Sequence, residues 1–227
     1  MGSFPTTLRG FVKSLQDLRI NSGNSVIVIV DAQNEFLKPG GKWYSETSAQ
    51  IAPGVISAIR GITERARNVG IPIIYIQSVR TLKELEFTVF GREPNLELGT
   101  WGTEIVEELK PLKEDIIVHK YSHDPFFKTE FDEVLERLVP DPTKYYAIVA
   151  GGAINVCVYH TLLGFYLRNY WTVVLVDSIF YSSPSGKQTA LEQLSWKAYP
   201  SIFLSRSDLV EISNISEGMQ PSLIPGS

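Results

Sequence analysis

Three residues far apart in the chain have side chains that could work together as a reacting group: Asp31, Lys120 and Cys157, the last being the only cysteine among 227 residues. Cys157 follows a continuous apolar run, Ala147 to Ala150, that reads as a buried strand. Gly151 and Gly152 break that run, and a helix-length segment begins near Asn155 and continues towards Arg168. A thiol in the first turn of a helix meets unpaired backbone N–H groups and the positive end of the helix dipole. Both lower its pKa, and both can hold a developing oxyanion. The N–H groups of Ala153 and Cys157 are the expected donors. A nucleophilic thiol also needs a base, and the leaving group needs an acid. Asp31 can take the thiol proton and return it to a departing amine, while Lys120 would keep Asp31 ionised and stabilise the thiolate. Three such groups titrate as one coupled set.

Each residue taken alone has a blander reading. Cysteine is often a small buried hydrophobe, an acid after a strand often caps a turn, and a lysine is usually a solvated charge. Joint placement favours chemistry, and that depends on the elements. Ser25–Val30 is a β-branched run ending at Asp31; 71–76, 115–119, 172–177 and 201–204 are further strands, with helices over 53–69, 129–138 and 185–197 between them. Thr129 and Asp132 have capping-box spacing, and 101–109 reads as one short helix. Strands alternating with helices predict an α/β fold, a three-layer α/β/α arrangement with a mostly parallel central sheet of about six strands. The C-terminal strand ends then share one edge, where ligands bind. Asp31, Lys120 and the turn before Cys157 all fall there. Leu8, Phe11, Val12, Leu15 and Leu18 have helical spacing, so 1–21 is read as a helical extension, 22–210 as the domain and 211–227 as a tail. The stretch 77–100 is too long for a casual connection and is expected to face substrate or another subunit.

Composition narrows the function classes. Hydrophobic residues are 44% and charged residues 20% of the chain, an ordinary globular balance, and a net charge of −4 gives no footprint for nucleic acid. One cysteine excludes an internal disulfide and leaves no resolving partner for redox chemistry. No apolar run reaches membrane-spanning length, and a cytoplasmic location is the expectation. Met1-Gly2 opens a permissive myristoylation pattern and Asn214-Ile215-Ser216 is a sequon; both are read as chance.

The motifs resemble the isochorismatase-like cysteine hydrolase superfamily. Its Asp-Lys-Cys triad maps onto Asp31 in Val28-Ile29-Val30-Asp31-Ala32-Gln33-Asn34, Lys120 in Val118-His119-Lys120-Tyr121-Ser122, and Cys157 in Gly151-Gly152-Ala153-Ile154-Asn155-Val156-Cys157. The likeness spans roughly 22–205. It implies a non-proline cis peptide at Gly152–Ala153, and it makes Ile154 a departure, since the family usually has Thr there. Nicotinamidase-like members carry a histidine metal cluster after the second strand; 77–87 has no histidine, so neither a metal nor a cofactor is expected. His119, His123 and His160 lack metal-ligand spacing, although His123 could line the pocket. The stretches 98–109 and 119–127 resemble the branch that hydrolyses ureido, carbamoyl and biuret-type amides. Such a small-molecule substrate would meet hydrogen bonds from Gln33, Gln77, Tyr121 and Ser122 and walls from Phe36, Trp101 and Phe126. The resemblance further implies a dimer or tetramer. Alternatives are vinyl-ether hydrolysis of the isochorismatase type, and a non-catalytic binding or effector protein on the same fold.

Overall fold

A computed structural model describes residues 15–196 and 198–214. In chain order the strands and helices are β1 (Leu18–Ile20), β2 (Ser25–Val30), the one-turn α1 (Asn34–Leu37), α2 (Glu46–Arg67), β3 (Ile73–Ser78), the one-turn α3 (Leu85–Thr88), β4 (Ile116–Lys120), α4 (Phe131–Leu138), β5 (Tyr146–Gly151), α5 (Cys157–Leu167), β6 (Trp171–Ile179), α6 (Pro184–Leu194), β7 (Ile202–Ser205) and β8 (Val210–Ile212). Six strands form one sheet in the order β4-β3-β2-β5-β6-β7, and every neighbouring pair is parallel.

The sheet is buried on both faces, which is why β2 and β5 read as unbroken apolar runs. Val26, Val28 and Val30 point into one core with Phe131, Leu135, Val158, Leu162 and Leu191 of α4, α5 and α6. Ile27 and Ile29 point into the other, with Ile59, Ile62 and Ala66 of α2. The strand period of two therefore divides one sequence between two cores. This is the expected three-layer α/β/α fold. The chain winds outwards from β2 in one direction and from β5 in the other, so the crevice between those strand ends is the switch point of the sheet.

Some boundaries differ from those read in the sequence. The helical extension expected over 1–21 is not formed at its described end: Leu18–Ile20 is a strand, paired with β8 from Leu18↔Val210 to Ile20↔Ile212. Leu18 and Ile20 are buried and Arg19 is exposed, a period of two that a window centred on Leu15 and Leu18 mistakes for a helical one. The rest of that helix lies outside the described residues. Strand β8 also takes Glu211 and Ile212 out of the expected tail. The single helix over 101–109 is two separate 3₁₀ turns, Trp101–Thr103 and Glu107–Leu109. Between them the backbone is claimed by the segment after β2: Val106 N–H donates to Ala32 O at 3.0 Å and Asn34 N–H to Glu104 O at 2.9 Å. Helix α2 starts earlier than expected because the Ser45 hydroxyl accepts from Ser48 N–H, and Pro53 lies inside the helix. The Thr129/Asp132 box does not close: Thr129 accepts from Phe131 N–H, while Asp132 is turned to Arg168.

Candidate active site

Asp31 is the first residue past β2, and its backbone is left-handed (φ 53°), a conformation acids tolerate better than most side chains. Its Oδ1 accepts from Ser78 N–H at 3.1 Å and Ser78 Oγ–H at 2.9 Å, at the end of β3. Lys120 closes β4 and is fully buried. Its Nζ lies 3.0 Å from Asp31 Oδ2 and donates to Ser78 Oγ (2.5 Å), Ser122 O (3.1 Å) and Cys157 Sγ (3.2 Å). An ammonium has three protons and this one has four neighbours. Ser78 takes Asp31 Oδ1, which leaves Oδ2 as the oxygen turned to Lys120. Asp31, Lys120 and Cys157, expected together from sequence, are brought together.

Cys157 opens α5 and is 8% exposed, with Sγ facing Lys120 and, at 3.5 Å, His123 Nδ1. Burial pushes its thiol from the ordinary 9.0 up to about 12; the charge of Asp31 adds to the rise and Lys120 opposes it. This corrects the expectation that the helix start and the lysine leave the thiol acidic. Removing the group from water costs a thiolate more than one ammonium, already paired with a carboxylate, returns. Burial also works against the charge of Lys120, but Asp31 and Cys157 outweigh it and raise its pKa. At rest the thiol is protonated and Lys120 is an ammonium.

The turn between β5 and α5 is built around Gly151 (φ 100°) and a cis peptide at Gly152–Ala153. A Cβ at Gly151 would stand 2.0 Å from Val30 O, so only glycine lets β5 leave β2 here. Ala153 O takes Val156 N–H and Val158 N–H, whereas the N–H groups of Ala153 and Cys157 donate to no backbone acceptor among the described residues. Ile154, the departure from the family pattern, is fully buried in the α5 core, and its N–H donates to Phe180 O. Its side chain takes no part in the turn.

Above the thiol is an open cavity of about 280 Å³, floored by Asp31, Ser78, Ala153 and Cys157. Of the seven residues expected to contact substrate, Phe36 lines it, stacked on Phe180. The other six are absent from its lining. Gln33 is fully buried, its amide tied to Ser78 and Thr103 O. Gln77 also donates to Thr103 O. Trp101 is half exposed against Gly40, and Tyr121 is 44% exposed. Ser122 offers its carbonyl to Lys120 and its hydroxyl to Asp124 O. Phe126 is core, packed on Phe131, Phe165 and Gly164.

The cavity wall comes instead from Trp43, Tyr181, His123 and the segment after β3. Arg80 N–H donates to Leu96 O at 2.8 Å and Arg80 bridges Glu97, which pins the two ends of that segment together. Within it Glu86 pairs with Arg80 (3.5 Å) and Arg92 (3.3 Å), a cluster with one net positive charge facing the cavity. The length of 77–100 was the signal for this wall; which of its side chains turn inward was not legible. A hollow of about 350 Å³ beside Tyr44 and Arg60 is larger but holds no part of the Asp31–Lys120–Cys157 set. Among the described residues no three His, Cys, Asp or Glu side chains converge to hold a metal ion, and no helix is long and apolar enough to cross a membrane.

Residues 25–202 match the family model described as the isochorismatase domain. A ureidoacrylate amidohydrolase RutB of Caulobacter segnis is 28% identical over 193 residues, 75% of this chain and 78% of that protein. Its counterpart in Pseudomonas savastanoi pv. phaseolicola is 31% identical over 200 residues, 77% and 78%. Among solved structures, an isochorismatase-like hydrolase from Alkaliphilus metalliredigens has a TM-score of 0.70 at 22% identity, over 82% of this chain and 96% of that one. N-carbamoylsarcosine amidase from Thermoplasma acidophilum has 0.66 at 24%, over 86% and 99%. The two structural likenesses carry the fold.

Proposed function

Since this chain belongs to the isochorismatase family, we propose that it is a cofactor-free cysteine amidohydrolase that cleaves a C–N bond of a small ureido- or carbamoyl-type substrate through a thioester. The observation that carries the reading is Lys120 Nζ, 3.0 Å from Asp31 Oδ2 and 3.2 Å from Cys157 Sγ, at the floor of an open cavity. Asp31 takes the thiol proton as Sγ bonds to the substrate carbonyl, and Lys120 offsets the negative charge that passes from carboxylate to sulfur. Proton transfer concerted with attack suits a thiol that rests protonated. The oxyanion is held by Ala153 and Cys157 N–H; losing one such donor typically costs about 2.7–4 kcal/mol in the barrier. Asp31 then gives the proton to the departing nitrogen, and the thioester remains. Relatives named ureidoacrylate amidohydrolase support the substrate class.

The test is ammonia release from a panel of biuret, ureidoacrylate, an N-carbamoyl amino acid, maleamate and nicotinamide, each with Cys157→Ser as control. Turnover of a ureido or carbamoyl member, lost in the variant, is the expected result. No turnover across the panel would sink the reading, and activity surviving in Cys157→Ser would point to Asp31 acting without a covalent step.

A further inference from the structure

One titratable group on the cavity wall has no part in the first half of that reaction. His123 follows β4, is exposed on the cavity side, and holds Nδ1 at 3.5 Å from Cys157 Sγ. The other groups at the sulfur are differently placed. Lys120 is an ammonium with its donors spread over Ser78, Ser122 and the sulfur, and it has no lone pair to accept a proton. Asp31 lies at the cavity floor, 1% exposed and held by Ser78, and carries the proton of the first half from sulfur to nitrogen. Burial and the charges of Lys120, Arg80 and His160 hold the His123 ring neutral, with Asp31 pulling the other way. The ring of His160, on α5, has its centroid 5.8 Å from that of His123. A neutral imidazole that touches the nucleophile and faces the solvent side of the site is a proton acceptor in the right protonation state.

The two half-reactions make different demands. In the first, a proton travels from sulfur to a nitrogen deep in the site. In the second, water arrives from the cavity, must lose a proton as it attacks, and the expelled sulfur must regain one. Building on the thioester reading, we propose that His123 is the proton carrier of thioester hydrolysis. Its ring nitrogen takes a proton from water as the water oxygen bonds to the acyl carbon. The C–S bond then breaks, and the same proton passes to Sγ. The products are the free acid, a thiol and a neutral imidazole, so atoms and charge balance without a further reactant.

The experiment uses the full-length protein and p-nitrophenyl acetate, an acyl donor that does not depend on the natural substrate. Acylate Cys157, remove excess ester by rapid gel filtration, and follow loss of the single acetyl group by intact mass. Compare wild type, His123→Asn and His123→Gln, with far-UV circular dichroism to confirm folding. Both variants should acylate at the wild-type rate yet lose the acetyl group about 100-fold more slowly, the lower end of what a positioned acid–base group supplies. The wild-type deacylation rate should rise with pH through the imidazole titration, and that limb should vanish in both variants. Wild-type deacylation rates in the variants, or acylation and deacylation slowed by the same factor, would overturn the role of His123 while leaving the thioester intact. A wild-type protein that releases p-nitrophenol from the ester no faster than Cys157→Ala would remove the thioester reading and this one together.

Discussion

At the scale of single residues, the resting state of Cys157 sets what can be measured. A thiol pushed up to about 12 alkylates slowly near neutral pH, so sluggish reaction with iodoacetamide does not mark this chain as a non-catalytic binder. A sharper comparison is Asp31→Asn. Because the carboxylate charge raises the thiol pKa, its removal should speed alkylation while amide turnover falls about 100-fold or more, and the two rates should move in opposite directions. The same thiol makes stability depend on pH. The unfolded chain releases the thiol proton near its ordinary value of 9.0 and the folded protein holds it to about 12, so this contribution is fully present below 9 and is lost as pH rises between the two. Urea unfolding should therefore weaken with pH more steeply in wild type than in Cys157→Ala, by about 1.4 kcal/mol per pH unit at most.

At the scale of elements, the turn between β5 and α5 is the least tolerant segment. Gly151→Ala would force a left-handed-side φ on alanine and press its Cβ onto Val30 O, so β2 and β5 must part at the strand ends that carry Asp31 and Cys157. The backbone conformation alone accounts for about 1–3 kcal/mol, readable as a lower urea midpoint, and turnover should fall further than stability does. Much of this framework was legible in the sequence. The apolar runs of β2 and β5, the two glycines and the placement of Asp31, Lys120 and Cys157 past strand ends follow from pattern and motif. Ser78 was not legible. A serine closing a strand has no distinguishing neighbour in sequence, yet its hydroxyl passes a hydrogen bond to Asp31 while accepting one from Lys120. The failures at Gln33 and Gln77 have the same origin: an amide past a strand can face a ligand or tie a loop, and the carbonyl that decides between them, Thr103 O, is contributed by a distant turn. Phe126 was misplaced because its partner, Gly164, leaves a groove for its ring that only the packed helix reveals.

At the scale of the whole molecule, one sheet separates two cores that share strands but not side chains. Ile59 on α2 and Leu162 on α5 are both fully buried, on opposite faces. Each truncation to alanine should cost about 2–5 kcal/mol. With no shared cavity, the double variant should lose the sum to within about 0.5 kcal/mol. Urea denaturation of the two single variants and the double variant measures this directly, and a loss well short of the sum would mean that the cores relax through the sheet.

The pinned ends of the segment after β3 have a further consequence for how such a protein can change its substrate. Arg80 and Glu97 hold the neck closed, so residues 81–95 form a detachable panel: their length and composition can vary while both anchor points stay where they are. Lengthening an anchored loop costs little, about 0.6 kcal/mol per doubling. Glu86, Arg92 and Asn95 are carried on that panel, whereas Asp31, Ser78, Lys120 and Cys157 stand on strand ends and a helix start that it does not support. Part of the cavity wall and the residues proposed to break the bond thus stand in separate parts of the chain, and a graft of 81–95 between relatives should change that wall while leaving Asp31, Lys120 and Cys157 in place.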